Sequence, residues 1–160
     1  MMKHSQFEGK HVLVVGGAGF VGSNLSHMLL HSDISSLTIV DNFMSSESIN
    51  IPTDERVRFI EGSIADDAVL EQLPATLDYV WHLACYHGNQ SSIFDPIADH
   101  ANNNFTSLKL FEHLSKRDSL TKVVYSAAGC AVAEKTYGEP TATHEDAPVS
   151  LFHDSPYSIS

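Results

Sequence analysis

The feature that most constrains the fold is a cluster of three glycines, Gly16, Gly19 and Gly22, spaced three residues apart. A short β-branched run at 11–15 precedes the cluster, and apolar residues recur every three or four positions between 20 and 31. The run is typical of a buried parallel strand, and the recurrence is typical of one face of a helix. The sequence therefore predicts a strand, a tight glycine turn and a helix in direct succession.

Strand and helix patterns alternate along the chain as far as residue 126. Further strands are predicted at 36–40, 56–60, 78–84 and 122–126, and further helices at 66–73 and 96–116. Such alternation predicts a parallel sheet between two layers of helices. The fold class is therefore α/β, a Rossmann-like doubly wound parallel sheet with helices on both faces. The segment 127–156 is rich in Gly, Pro, Thr, Ser and Asp, has no clear period, and predicts a functional loop.

The composition is that of one ordinary domain of 160 residues, with 42% hydrophobic and 18% charged side chains. Nine basic against 20 acidic residues give a formal charge of −11, which repels polyanions. We therefore expect neither nucleic acid nor a membrane as a partner, and no apolar segment is long enough for a signal peptide or a membrane span. Only two cysteines occur, Cys85 and Cys130, which favours a reducing compartment and a cytoplasmic location.

An acidic residue, Asp41, ends the second predicted strand, 19 positions after Gly22. Glycines at this spacing allow a pyrophosphate to approach the backbone at the start of a helix, where free N–H groups attract negative charge. The Asp41 carboxylate would accept hydrogen bonds from the hydroxyls of an adenosine ribose and would repel a 2′-phosphate. The combination predicts a dinucleotide site that prefers NAD to NADP.

The sequence resembles the extended short-chain dehydrogenase/reductase family of NAD-dependent nucleotide-sugar epimerases and dehydratases. The resemblance covers essentially the whole chain and rests on the segments 14–23, 40–43, 82–84, 95–96 with Asn103, and 155–160. It implies that fifteen positions contact NAD. These are Gly16, Gly19, Phe20, Val21 and Gly22 at the pyrophosphate, Asp41 and Asn42 at the ribose, Ser63 and Ile64 at the adenine, Leu83, Ala84 and Cys85 along the central portion, and Asn103, Ser126 and Tyr157 towards the nicotinamide.

The same resemblance implies that Tyr157 is the catalytic acid/base. The segment 155–160 is similar to the start of the family's Ser-Pro-Tyr-x-x-x-Lys motif, in which the tyrosine exchanges a proton with a sugar hydroxyl. A phenol with a pKa of about 10 needs a nearby ammonium group to act as a base at neutral pH. That lysine would be residue 161. We therefore expect residues 1–160 to be the NAD-binding, N-terminal part of a longer enzyme, without its substrate-binding portion and inactive alone.

Three positions depart from the family pattern. Ala128 stands where a hydroxyl usually orients the substrate, and Ser63 stands where aspartate is common at the adenine. Cys130 falls about where related dehydratases carry an acid/base carboxylate, so its thiol is a second catalytic candidate. A small buried apolar side chain is the alternative interpretation of Cys130.

The sequence leaves two functions open for the protein. The first function is an enzyme that transiently oxidises a nucleotide sugar; the second is a non-catalytic NAD-binding regulatory or scaffold module, which Ala128 favours.

The predicted helix 96–116 carries Leu108, Phe111 and Leu114, which could form a homodimer face or pack in the core.

Ten histidines raise the question of a metal site, and His82 with His87 is the pair considered as candidate ligands. No spacing typical of a metal site joins them to a carboxylate, so we expect no metal.

Overall fold

The structure, a computed structural model, describes residues 5–86, 88–129, 144–146 and 153–160. These residues divide into two compact units. The first contains the described residues of 1–85 and 105–126, and the second contains those of 86–104 and 127–160. Nowhere in these described ranges is there a helix with the length and apolar character that a membrane crossing requires.

The first unit is built on a sheet of five parallel strands in the order β3-β2-β1-β4-β5. The strands are β1 (His11–Val15), β2 (Ser36–Asp41), β3 (Val57–Glu61), β4 (Tyr79–His82) and β5 (Lys122–Tyr125). Val15 aligns with Val40 of β2 on one side and with His82 of β4 on the other, so the carboxyl ends of the three central strands lie level. The chain order reverses between β1 and β4, which is where doubly wound sheets bind ligands.

Alternating side chains of β1 enter two separate cores, one on each face of the sheet. Leu13 and Val15 pack with Leu110 and Leu114, whereas Val12 and Val14 pack with residues that include Leu29. These partners come from α5 (Thr106–Leu114) and α1 (Phe20–Leu30), and α2 (Asp67–Leu70) joins the first core. The prediction of a doubly wound parallel sheet with helices on both faces is confirmed.

The predicted helix at 96–116 is confirmed as an unbroken helical stretch that ends at Leu114, but it is not one regular α-helix. The structure has α4 (Pro96–His100), a π-helical turn (Ala101–Phe105) and then α5, which ends at Leu114. The run of asparagines at 102–104 explains the interruption, since asparagine side chains compete for backbone groups and weaken a regular helix. The Asn102 side-chain amide donates to the Ala98 carbonyl at 2.8 Å. The Asn103 side-chain amide donates to the Tyr86 carbonyl, which lies outside the helix.

The second unit contains a short helix that the sequence patterns did not predict, α3 (Asn89–Phe94). It packs with α4 and with the 3-10 helix Pro156–Ser158. Asp95 separates α3 from α4, and its carboxylate accepts a hydrogen bond from the Ala98 amide at 2.9 Å, with Pro96 in the first turn of α4. Most of the predicted loop 127–156 lies outside the described residues.

Candidate functional site

The glycine turn lies against the exit of β4. Gly16 has a φ of +82°, a conformation that favours glycine, and a Cβ there would lie 2.6 Å from the Ala84 nitrogen. A Cβ on Gly22 would lie 2.8 Å from the Gly17 Cα, so α1 packs directly on the turn. Gly19 caps α1 without any side-chain hydrogen bond. The backbone at the start of α1 is therefore uncovered by side chains from the turn, as an anion site at a helix N-terminus requires.

Gly17 is a fourth glycine with a packing role, and the triplet spacing did not single it out. A Cβ on Gly17 would lie 2.6 Å from a methyl group of Ile39, which is fully buried in β2. The turn is thus closed against β2 at Gly17 and against β4 at Gly16. The only sequence signal for this role is the adjacency of the two glycines.

Asp41 lies at the end of β2, and its carboxylate is the centre of a hydrogen-bond network. One oxygen accepts from the Ala18 amide at 2.9 Å, and the other accepts from the Phe43 amide at 2.9 Å and the Ser46 hydroxyl at 2.8 Å. A carboxylate has about four acceptor sites, so three donors leave capacity for one more. Asp41 therefore both shapes the glycine turn and retains a site of the kind a ribose hydroxyl would need.

The segment after β3 contains the predicted adenine contacts. Gly62, with a φ of +149°, donates its amide to the Asp41 carbonyl at 2.9 Å. The Ser63 hydroxyl is half-buried and accepts from the Ala65 amide at 3.2 Å, whereas the Ile64 side chain is buried in the core. The loop is fixed from α5, where Lys109 Nζ donates to the Ala65 carbonyl at 2.6 Å.

The predicted contacts to the central portion of the cofactor follow β4 at the same edge of the sheet. The Leu83 amide donates to the Val15 carbonyl at 2.9 Å and extends the ladder by one bond. Ala84 packs beside Gly16, and Cys85 is an exposed free thiol. Ser126 is exposed after β5, and its amide donates to the His82 carbonyl at 3.2 Å.

His82 ends β4 beneath this edge and is only 2% exposed. Its Nε2 shares a hydrogen bond of 2.9 Å with the Ser107 hydroxyl, and its ring packs against Tyr125 and Phe111. Its Nδ1 has no hydrogen-bond partner in the described part of the chain. Burial lowers the pKa of His82 to about 4, so the imidazole is neutral at physiological pH.

In the second unit, the Asn103 side chain holds the segment that follows β4. Its Oδ1 accepts from the Tyr86 amide at 2.7 Å, and its Nδ2 donates to the Tyr86 carbonyl at 3.0 Å and to the Asp99 carboxylate at 3.2 Å. Asp99 is fully buried, and a carboxylate only accepts, so it fixes which end of the amide faces it. Neither Asp99 nor the π-helical turn was identified from the sequence; π turns are frequent at functional sites.

Tyr157 lies half-buried in the 3-10 helix Pro156–Ser158 of the second unit. The segment is held at both ends: the Ser155 hydroxyl donates to Asn89 Oδ1 at 3.2 Å, and the Ser160 hydroxyl accepts from the Asn103 amide at 3.1 Å. Two further candidates, Cys130 and His87, lie outside the described residues. Across the residues that are described, no three His, Cys, Asp or Glu side chains are grouped as a metal site would need.

A parallel sheet whose order reverses beside a glycine turn, with a helix starting at that turn and an acidic residue ending the neighbouring strand, defines a dinucleotide-binding domain of the Rossmann type. A model described as the NAD dependent epimerase/dehydratase family matches residues 12–160. The chain belongs to this family.

The chain is similar to a UDP-glucose 4-epimerase and to an enzyme of solved structure. UDP-glucose 4-epimerase of Neisseria meningitidis serogroup A is 32% identical over 161 residues, which cover 94% of this chain and 45% of that protein. The Bordetella bronchiseptica enzyme WbmF in complex with NAD+ and UDP is 50% identical with a TM-score of 0.79, covering 97% of this chain and 42% of that one.

A third similar structure is UDP-N-acetylglucosamine 4-epimerase from Methanobrevibacter ruminantium M1 in complex with UDP-N-acetylmuramic acid. It is 30% identical with a TM-score of 0.81, covering 95% of this chain and 47% of that one. The chain thus spans less than half the length of each of these three proteins. The predicted family, fold and NAD dependence are confirmed, whereas the individual site residues stay predictions.

Proposed function

We propose that the protein is an NAD-dependent nucleotide-sugar epimerase or dehydratase, to which this chain contributes the cofactor site and the acid/base Tyr157. The observation that carries the proposal is the glycine turn closed against β4 at Gly16 and bonded to Asp41. The similar proteins support the substrate class, because two are named for UDP-glucose and UDP-N-acetylglucosamine and the third is described in complex with UDP.

The residues of the first unit fit NAD. Added Cβ atoms at Gly16 and Gly22 would clash with neighbouring backbone, so only glycine lets the turn close this tightly at the start of α1. In the proposal the amides at the start of α1 bind the pyrophosphate, Asp41 and Asn42 bind the ribose, and Ser63 lies at the adenine. The negative charge of Asp41 disfavours a 2′-phosphate, which selects NAD over NADP.

Tyr157 carries the proton transfer in this proposal. NAD, held by the glycine turn and Asp41, would supply a reversible hydride acceptor for the oxidation of the sugar. The Tyr157 phenol oxygen removes the proton from the sugar hydroxyl that is oxidised and gives it back, which requires positive charge nearby to favour the phenolate. Ala128 offers no hydroxyl to the reacting oxygen, so a different polar group must orient it. The Cys130 thiol remains a second candidate for proton transfer.

We further propose that the protein forms a homodimer and acts in the cytoplasm. Leu108 on α5 is 67% exposed and supports a dimer face there, whereas Leu114 is buried in the core and Phe111 packs against His82 and Tyr125. The small number of cysteines supports a reducing location.

The test is the absorbance of reduced nicotinamide in the full protein with NAD and a panel of UDP- and dTDP-sugars. We expect at least one sugar to produce the reduced signal, and Tyr157→Phe to slow its appearance by about a hundredfold or more, the usual contribution of an acid/base group. Mass analysis of the product separates loss of water, a dehydratase, from unchanged mass, an epimerase.

Tyr79→Phe is the matched control, since Tyr79 begins β4 at the opposite end from the glycine turn and packs on Phe7. This variant should keep the wild-type rate. NAD binding without reduction by any sugar would overturn the enzyme proposal in favour of the non-catalytic module, for which Ala128 is the motivating position.

A further inference from the structure

Ala18, at the apex of the glycine turn, is fully buried, and both of its backbone polar groups are held by side chains from distant positions. Its amide donates to Asp41 Oδ2 at 2.9 Å. Its carbonyl accepts from Asn50 Nδ2, also at 2.9 Å. Asn50 ends the 3-10 helix Ser48–Asn50, in the connection between β2 and β3. The turn is therefore clamped from outside by one carboxylate and one amide.

The Asn50 bond acts on the peptide that leads directly into α1. The Ala18 carbonyl belongs to the same peptide plane as the Gly19 amide, which donates to the Gly16 carbonyl at 3.2 Å. Gly19 is the N-cap of α1 and makes no side-chain cap. Because a peptide is planar, fixing its carbonyl also fixes the orientation in which the chain enters the helix. The donor on Asn50 thus sets where the first amides of α1 point.

We propose that Asn50 is a positioning residue for the NAD pyrophosphate, acting through the Ala18–Gly19 peptide. This inference rests on the proposed NAD site and adds a residue to it. Amides already aimed at an anion bind it without a further ordering cost, which is the benefit of preorganisation. Asp41 holds the preceding peptide and is also assigned to the ribose, whereas Asn50 is assigned only to the turn.

The proposal predicts that removing the Asn50 donor lowers the affinity only for ligands that carry the pyrophosphate. Asn50→Leu keeps the side-chain size without the donor, and Asn50→Ala removes both. We expect each variant to weaken the binding of NAD and ADP about tenfold, the equivalent of one good hydrogen bond, while adenosine binding stays within about twofold of wild type. Dissociation constants come from calorimetry for NAD and ADP and from displacement for adenosine, all with the full protein.

Gln72→Ala is the matched control. Gln72, just beyond the end of α2, makes the same kind of bond, from its side-chain amide to the Ala68 carbonyl at 2.8 Å. This variant should bind all three ligands as wild type does.

The ratio of the NAD and adenosine dissociation constants decides between positioning and general stability. A variant that is partly unfolded binds both ligands more weakly by the same factor, because each apparent affinity scales with the folded fraction. A ratio unchanged from wild type in both Asn50 variants would overturn the positioning role. A wild-type protein that binds no NAD would overturn the proposed function as well.

Discussion

At the scale of single residues, His82 shows how burial sets a charge. The ring is enclosed by Phe111 and Tyr125, one nitrogen bonds Ser107, and desolvation lowers the pKa of His82 from 6.5 to about 4. In the unfolded chain the His82 imidazole binds a proton near pH 6.5, whereas in the folded chain it does so only near pH 4. His82 therefore contributes stability above pH 6.5 that is lost as the pH falls towards 4.

This difference predicts an acid-sensitive fold. The contribution of His82 to the free energy of unfolding should fall by about 3 kcal/mol between pH 7 and pH 4, at about 1.4 kcal/mol for each pKa unit. Urea unfolding of wild type and His82→Gln across this range measures it, since the glutamine keeps a polar group for Ser107 without titrating. The stability gap between the two proteins should shrink as the pH falls; a gap that is constant with pH would contradict the prediction.

The residues that the sequence identified are those whose roles are set by the local chain. Gly16 and Gly22 were found because a tight turn between a strand and a helix needs glycine, and Asp41 because it ends the next strand. Asn50 and Asp99 were not found. Their bonds join positions that only the folded chain brings together, and asparagine or aspartate in such segments has many ordinary uses.

At the scale of elements, the strands were predicted more closely than the helices. Predicted β1 agrees with the structure, β2 and β5 differ by one residue at one end, and β3 differs by one residue at each end. Short apolar runs between polar residues have few alternative interpretations. Predicted β4 was longer: 78–84 became Tyr79–His82, although the Leu83 amide still bonds β1.

The helix predictions were incomplete where the apolar period is absent or interrupted. α3 is made of Asn, Gln and Ser before Ile93, so nothing in its pattern predicted a helix; its one fully buried side chain is Ser92, which donates to the Asn89 carbonyl at 2.8 Å. The segment 96–116 has enough apolar residues to predict a helix. Its Asn103 side chain, however, forms hydrogen bonds with the Tyr86 backbone instead of facing solvent. Pattern alone does not predict such a contact.

At the scale of the whole molecule, the assigned roles divide between the two units. The first contains the glycine turn, Asp41 and the adenine segment, and the second contains Asn103 and Tyr157. In the proposed function, the cofactor residues therefore lie mainly in the first unit, and the acid/base Tyr157 lies in the second. The fold and cofactor class followed from the sequence because they depend on the first unit, whose pattern is regular.

The proposed homodimer gives a test at this scale. Leu108→Glu places a charge on an exposed apolar position of α5, and burying an unpaired charge in an interface is costly, so we expect the dimer to dissociate. Met28→Glu is the control, because Met28 is similarly exposed, at 64%, on α1. Light scattering after size exclusion measures the mass. A wild-type monomer, or a Leu108→Glu dimer, would contradict the proposed face.

The proposed NAD site on the glycine turn and Asp41 is tested by the dissociation constants of NAD and NADP for the wild-type protein. The charge of Asp41 beside the ribose predicts that NAD binds at least about tenfold more tightly than NADP, a difference of about 1.4 kcal/mol. Equal or tighter binding of NADP, or no binding of either dinucleotide, would contradict it.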